Sequence, residues 1–110
     1  LSIRRQRQMC IRDSRYGGCS LLVEAEAQEE SAPPEENALR ARRQSFYERS
    51  GFRRLDYQTR IFGVQYAMLV WPEEDAAEPE RLQDAHRGLY RGQLPNPLFR
   101  RVIHIPADEH

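Results

Sequence analysis

Lysine is missing from this 110-residue chain: its 17 basic residues are all arginine, balanced by 17 acidic ones to a formal net charge of zero. Without a net charge there is no global field to gather nucleic acid or an anionic membrane surface. Arginine usage this complete reads as genome base composition rather than as seventeen bidentate sites. Cysteine is scarce. Cys10 and Cys19 show no C-x-x-C spacing and no clustered histidine, which argues against a disulfide framework and against a zinc site and makes cytoplasm the expected location. No apolar run approaches the length of a membrane span, the amino end lacks the apolar block of a signal peptide, and no internal repeat is present. At this length the chain suits one domain with one core.

The best-specified stretch is a helix predicted over Pro34 to Ser50. Pro33-Pro34, Glu35, Glu36 and Asn37 suit a first turn whose unpaired N–H groups favour oxygen and negative charge. Arg49 complements the other end of the dipole. Gly51 can adopt the left-handed conformation that closes a Schellman-type cap, with Phe52 folding back near Tyr47. Leu39, Phe46 and Ser50 fall near one stripe, bordered by Arg42 and Arg43, and form the expected inner face; Arg40, Gln44 and Arg49 are expected to face water.

Around the helix the pattern is extended. Ser20 to Ala27 reads as a buried strand leading through an acidic loop into the helix, and Leu55, Tyr57 and Thr59 alternate with polar residues as a strand with one wet face does. After a turn near Ile61-Phe62-Gly63, the almost wholly apolar Val64 to Trp71 reads as a central strand ended by Pro72. An acidic linker, Glu73 to Glu78, precedes a helix opened by Pro79, with Leu82, Ala85, His86 and Leu89 at core spacing. Asn96-Pro97 then suggests a short turn before Val102 to Ile105.

The run Phe46-Tyr47-Glu48-Arg49-Ser50-Gly51-Phe52 resembles the fourth helix of the GCN5-related N-acetyltransferase (GNAT) superfamily, whose pattern is close to aromatic or Leu, Tyr, acid, basic, any residue, Gly, Phe. Leu21 to Glu26 resembles the strand before that helix. Arg42-Arg43 resembles a branch with two arginines there, and Phe62-Gly63 with Tyr66 to Trp71 resembles that branch's last two strands. The resemblance implies an α/β (α+β) class: a partial GNAT fold with a β-α-β-β unit and a C-terminal helical extension. In the superfamily the last strand inserts beside the one before the helix, so Leu21 to Ala25 should neighbour Tyr66 to Val70.

The activity implied is transfer of acetyl from acetyl-CoA to an amine. A neutral phenol holds a proton to give to a leaving thiolate, and the resemblance assigns that role to Tyr47. Read without the resemblance, Phe46 and Tyr47 are aromatic core at a helix end. Many members carry an Asn about two turns before the Tyr, on the cofactor. Here Arg40 occupies that position and Asn37 lies a turn earlier, so Asn37, Arg40 and Arg43 are the candidate cofactor-binding residues. For Arg42 and Arg43 a solvated or acid-paired face fits as well as phosphate contact. Glu24 and Glu26 share a strand face, one of them a candidate base, and His86 reads as a core-edge histidine rather than a catalyst. No metal site is expected.

The superfamily's Gly-rich pyrophosphate loop has no counterpart in residues 1–20, since Gly17-Gly18 directly precedes the fifth-strand equivalent. Residues 1–14, five arginines in 1–15 notwithstanding, resemble a peptide produced when sequencing-adapter DNA is translated. The expected organisation is therefore a non-native segment 1–14, the C-terminal half of a GNAT-like domain at 15–72 and an extension at 73–110. Such a fragment is expected to be inactive alone, to make little apolar contact through 1–14, and to expose an unpaired edge at Ser20 to Ala27 open to self-association. The alternative class is a non-enzymatic interaction module offering an open sheet edge; nucleic-acid and membrane partners are not expected, and the acceptor amine is not specified.

Overall fold

Helix α1 spans Pro34–Arg49, with proline in its first turn, Glu35 and Glu36 beside it and Arg49 in the last turn. Its end closes as a Schellman motif: Gly51 has φ 101°, its N–H donates to Glu48 O (3.2 Å), and Phe52 N–H donates to Tyr47 O (3.0 Å). The Phe52 ring meets Tyr47 edge to face at 5.3 Å, the apolar contact that accompanies such a cap. A tight start and a tight stop thus deliver the chain into the next strand at a fixed angle.

The computed structural model describes residues 6–13 and 18–107, and the turn expected at 15–19 falls largely outside them. Five strands, β1 (Gln6–Asp13), β2 (Gly18–Glu26), β3 (Arg53–Ile61), β4 (Val64–Trp71) and β5 (Ile103–His104), form one sheet in the order β1-β2-β4-β3-β5, every pair antiparallel. With helices α1, α2 (Pro79–Arg91) and α3 (Asn96–Val102) and a short 3-10 segment, Glu73–Ala77, the fold is α+β. β4 lies between β2 and β3, which therefore run the same way, and α1 is the crossover joining them. Leu21 pairs with Trp71 and Ala25 with Ala67, the placement expected for the strand before the helix.

Sequence explains the strands. β4 is central, and Ala67 to Val70 are buried as its unbroken apolar run requires. Phe62 and Gly63, at φ 51° and 82°, make the two-residue turn joining β3 to β4, a twist that matches the strands on either side. β2 alternates. Leu22 sides with Met9, Leu55, Met68, Val70 and Leu82 beneath α2, whereas Val23 and Ala25 side with Tyr47 and Leu69 beneath α1. Full burial of Leu22, Met68 or Leu82 contributes roughly 1.5–3 kcal/mol each.

Several expectations are corrected. Residues 6–13 form β1, whose eight-pair ladder covers β2 and whose Met9 enters the core, so β2 is not an open edge and this segment does make apolar contact. Main-chain pairing needs little side-chain pattern, which is why the sequence conceals it. Cys10 is disulfide-bonded, against the reading from cysteine spacing. The inner face of α1 is not Leu39, Phe46 and Ser50: Phe46 is 56% exposed, while Gln44 is fully buried and Tyr47 nearly so. In α2, Tyr90 is buried and Leu89 exposed. Asn96-Pro97 opens α3, which Phe99 anchors to Ile61, Tyr90, Ile103 and Ile105.

Candidate functional site

α1 docks through polar groups. Asn37, Arg40, Gln44 and Tyr47 recur at three- and four-residue spacing and so share one face. Asn37 Nδ2 donates to Glu29 O (2.8 Å) and its Oδ1 accepts from Glu29 N–H (2.9 Å). Arg40 Nη1 donates to Ala27 O (2.9 Å), and its Nε lies 3.7 Å from Glu26 and 3.5 Å from Glu36 carboxylate oxygens. Gln44 Nε2 donates to Glu26 O and to Gln28 Oε1, both at 2.9 Å. Hydrogen bonds to carbonyls at the end of β2 thus replace the missing apolar stripe.

The stripe ends at Tyr47. Its ring packs on Val23, Ala25 and Leu69, between Phe46 (5.4 Å) and Phe52, so the phenol is held from both sides. Its oxygen accepts from Gln8 Nε2 on β1 at 3.2 Å, and its own proton meets no acceptor among the described residues. Arg43 lies one turn earlier on the same flank. Its Nη1 is buried without a hydrogen-bond partner, a costly state for a charged donor. Arg42 is exposed.

A second cluster lies on the other face. Glu24 Oε2 accepts from Tyr90 Oη (2.7 Å) and lies 2.7 Å from His86 Nε2; Glu24 is 2% and His86 0% exposed. With Nε2 supplying the proton to the carboxylate, His86 Nδ1 is left buried without a partner. The His86 and Tyr90 rings stand 5.6 Å apart. This hub fastens α2 to β2. Nearby, burial pushes the Tyr57 phenol well above its ordinary range, Arg87 opposing in part, and its hydroxyl also lacks a partner.

The sequence-derived candidates are therefore divided. Tyr47 and Arg43 are brought to one flank with unaccepted donors, whereas Asn37 and Arg40 are engaged by the chain's own carbonyls and by Glu26 and Glu36. Glu24, whose alternation puts it beneath α2, is separated from Tyr47 by the sheet, and Glu26 is paired with Arg40. Gln8, Gln44 and Tyr90 were not singled out from sequence; for Gln44 the spacing from Asn37, Arg40 and Tyr47 is the signal that finds it.

An acetyl-CoA site fits these residues in part. An orphaned guanidinium nitrogen and an unaccepted phenol proton suit oxygen and thiolate acceptors, while no described residue reproduces a Gly-rich pyrophosphate loop. Among the described residues no group of His, Cys, Asp or Glu could hold a metal ion, and no helix is long and apolar enough to cross a membrane. No protein-family model, curated protein or solved structure matches the chain.

Proposed function

We propose that this chain carries the C-terminal part of an acetyl-transfer site of the GNAT kind, inactive by itself, in which acetyl passes from acetyl-CoA to an amine. The observation that carries the reading is Tyr47: a phenol fixed at a Schellman-closed helix end, with its proton unaccepted. The strand order β2-β4-β3, with α1 crossing from β2 to β3, supports it as the arrangement expected from the resemblance.

Bound acetyl-CoA supplies a thioester whose cleavage leaves a thiolate. Tyr47 Oη would give that thiolate a proton, a hydroxyl being both a hydrogen-bond donor and a proton source. Arg43 would meet a cofactor oxygen through Nη1, a donor that nothing among the described residues accepts from. Asn37 and Arg40 hold α1 in place and so act on Tyr47 by positioning. Proton donation of this kind contributes typically ~10²–10⁴-fold, and only when donor and thioester are held in register.

Two measurements test the reading. Titration of acetyl-CoA into the chain, followed by NMR of the Tyr47 ring, should perturb Tyr47 and its neighbours weakly and without turnover; perturbation confined to other surfaces would sink it. Extending the reading frame upstream of residue 15 should reveal a Gly-rich strand-loop-helix. A continuous frame that lacks one, however far it extends, would favour the interaction-module alternative.

A further inference from the structure

β4 flanks one side of β3, and the other side is paired only at its end. There β5 meets Arg60 and Ile61, and Ala107 N–H donates to Gln58 O (2.7 Å). Residues 53–57 have no main-chain partner on that outer edge among the described residues. An unpaired edge is a row of donors and acceptors that can template another strand.

Three cavities follow this edge. One of about 90 Å³ is lined by four consecutive residues, Arg53, Arg54, Leu55 and Asp56, together with Ala76 and Pro79. Side chains alternate between the faces of a strand, so a hollow over either face meets every second residue; four in a row place this one beside the main chain. Since β4 fills the inner side, it lies along the outer edge. A second hollow of about 340 Å³ shares Arg53 and Ala76 with it and is walled by Glu73, Glu74 and Ala77. A third, about 230 Å³, shares Asp56 and runs past Tyr57 and Gln58 to Ala107. Together they make a groove alongside β3, bounded by the 3-10 segment and the start of α2 at one end and by Ala107 at the other.

Charge gives the groove a sign. Arg54 is held by Glu48, whereas Arg53, Asp56, Glu73 and Glu74 are exposed and enter no ion pair among the described residues. Three free carboxylates thus line the groove against one free guanidinium. We infer that the outer edge of β3 takes up an extended basic peptide as an added strand, in line with β5. Main-chain hydrogen bonds to residues 53–57 hold the peptide, and its lysine or arginine side chains meet Asp56, Glu73 and Glu74. The main-chain bonds supply affinity with little regard to sequence, and the carboxylates select the sign of the partner. The surface uses no residue of the proposed acetyl-transfer site, so the two readings stand or fall separately.

The test titrates the full chain with a capped peptide of alternating arginine and valine while the main-chain amide resonances of residues 53–57 are followed by NMR. These should shift saturably and become protected from hydrogen exchange. Two isomers of the peptide, N-methylated on alternate residues so that one edge or the other is blocked, separate strand addition from charge alone. The isomer blocked on the edge that meets β3 should bind at least about 10-fold more weakly than the other, and equal affinities overturn the proposal. This comparison changes only the peptide and so does not depend on any variant folding. Glutamate in place of arginine in the peptide should weaken binding about 10-fold or more, and Glu73→Gln combined with Glu74→Gln about 3-fold; an acidic peptide that binds as well as the basic one overturns it. Shifts confined to other surfaces, a dimer that forms on concentration and excludes the peptide, or binding that appears only once residues 108–110 are removed would equally overturn it.

Discussion

The two faces of the sheet are covered by helices held in opposite ways. α2 lies on an apolar cluster, with Leu82 fully buried against Leu22, Met68 and Val70, and carries a single polar hub, Glu24 with His86 and Tyr90. α1 inverts the proportion: one buried aromatic, Tyr47, and a row of hydrogen bonds from Asn37, Arg40 and Gln44 to the end of β2. Apolar burial supplies stability but little direction, whereas each hydrogen bond adds only about 0.5–1.5 kcal/mol net and demands a particular geometry. The α2 face should therefore dominate stability, and the α1 face should dominate placement of Tyr47 and Arg43.

The largest effect should come from Glu24→Ala, which removes the carboxylate that both His86 and Tyr90 bond and leaves the fully buried His86 ring unsatisfied; urea unfolding should show a loss of about 4 kcal/mol. Leu82→Ala, a cavity in the same layer, should cost about 3 kcal/mol by the same measurement, and a loss under 1 would show that α2 is not seated as described. On the other face Gln44→Ala should cost only about 1.5 kcal/mol, yet shift the Tyr47 ring resonances. Destabilisation equal to that of Leu82→Ala would erase the distinction between the faces. Tyr47→Phe should change stability by less than about 1 kcal/mol, because the phenol makes a single hydrogen bond to an exposed partner.

Tyr57 provides a pH test of the α2 side. Its phenol is raised by burial, so the folded state retains a proton that the unfolded chain loses above about pH 10. The stabilisation from keeping Tyr57 neutral is therefore full below that pH and falls as pH rises through it. The unfolding midpoint should drop more steeply above pH 10 in the wild-type chain than in Tyr57→Phe; parallel curves would contradict the assignment.

Much of the fold could be read in advance because its signals are local. Pro33-Pro34 and Gly51-Phe52 bracket α1, Phe62-Gly63 turns β3 into β4, and the apolar run of β4 identifies the central strand. The inner face of α1 could not be read from hydrophobicity. Its buried positions include Gln44 and nearly buried Arg40, each of which donates to a main-chain carbonyl that leaves no trace in composition. The Glu24 hub escaped for a different reason: its partners lie 62 and 66 residues away, on a helix where His86 looks like core and Tyr90 falls outside the stripe. β1 escaped because backbone pairing carries it. Of the candidate site, Tyr47 and Arg43 were legible from local motif and spacing, and the engagement of Asn37 and Arg40 became visible only when the loop after β2 was placed beside them.

Three of the acceptors that seat α1 are the carbonyl oxygens of Glu26, Ala27 and Glu29, groups that every residue type carries. The helix side of the junction is therefore chemically demanding, and the strand side depends on its side chains at Glu26 and Gln28, which partner Arg40 and Gln44, rather than at Glu29. In a saturating mutational library Asn37, Arg40 and Gln44 should tolerate few replacements, while Glu29 should accept most. Ala27 is constrained on the strand side through volume alone, since it is 1% exposed. Sequence drift at Glu29 would thus leave the bearing of α1 unchanged, and the orientation of Tyr47 would be inherited in good part through main-chain groups, with Glu26 and Gln28 adding side-chain partners.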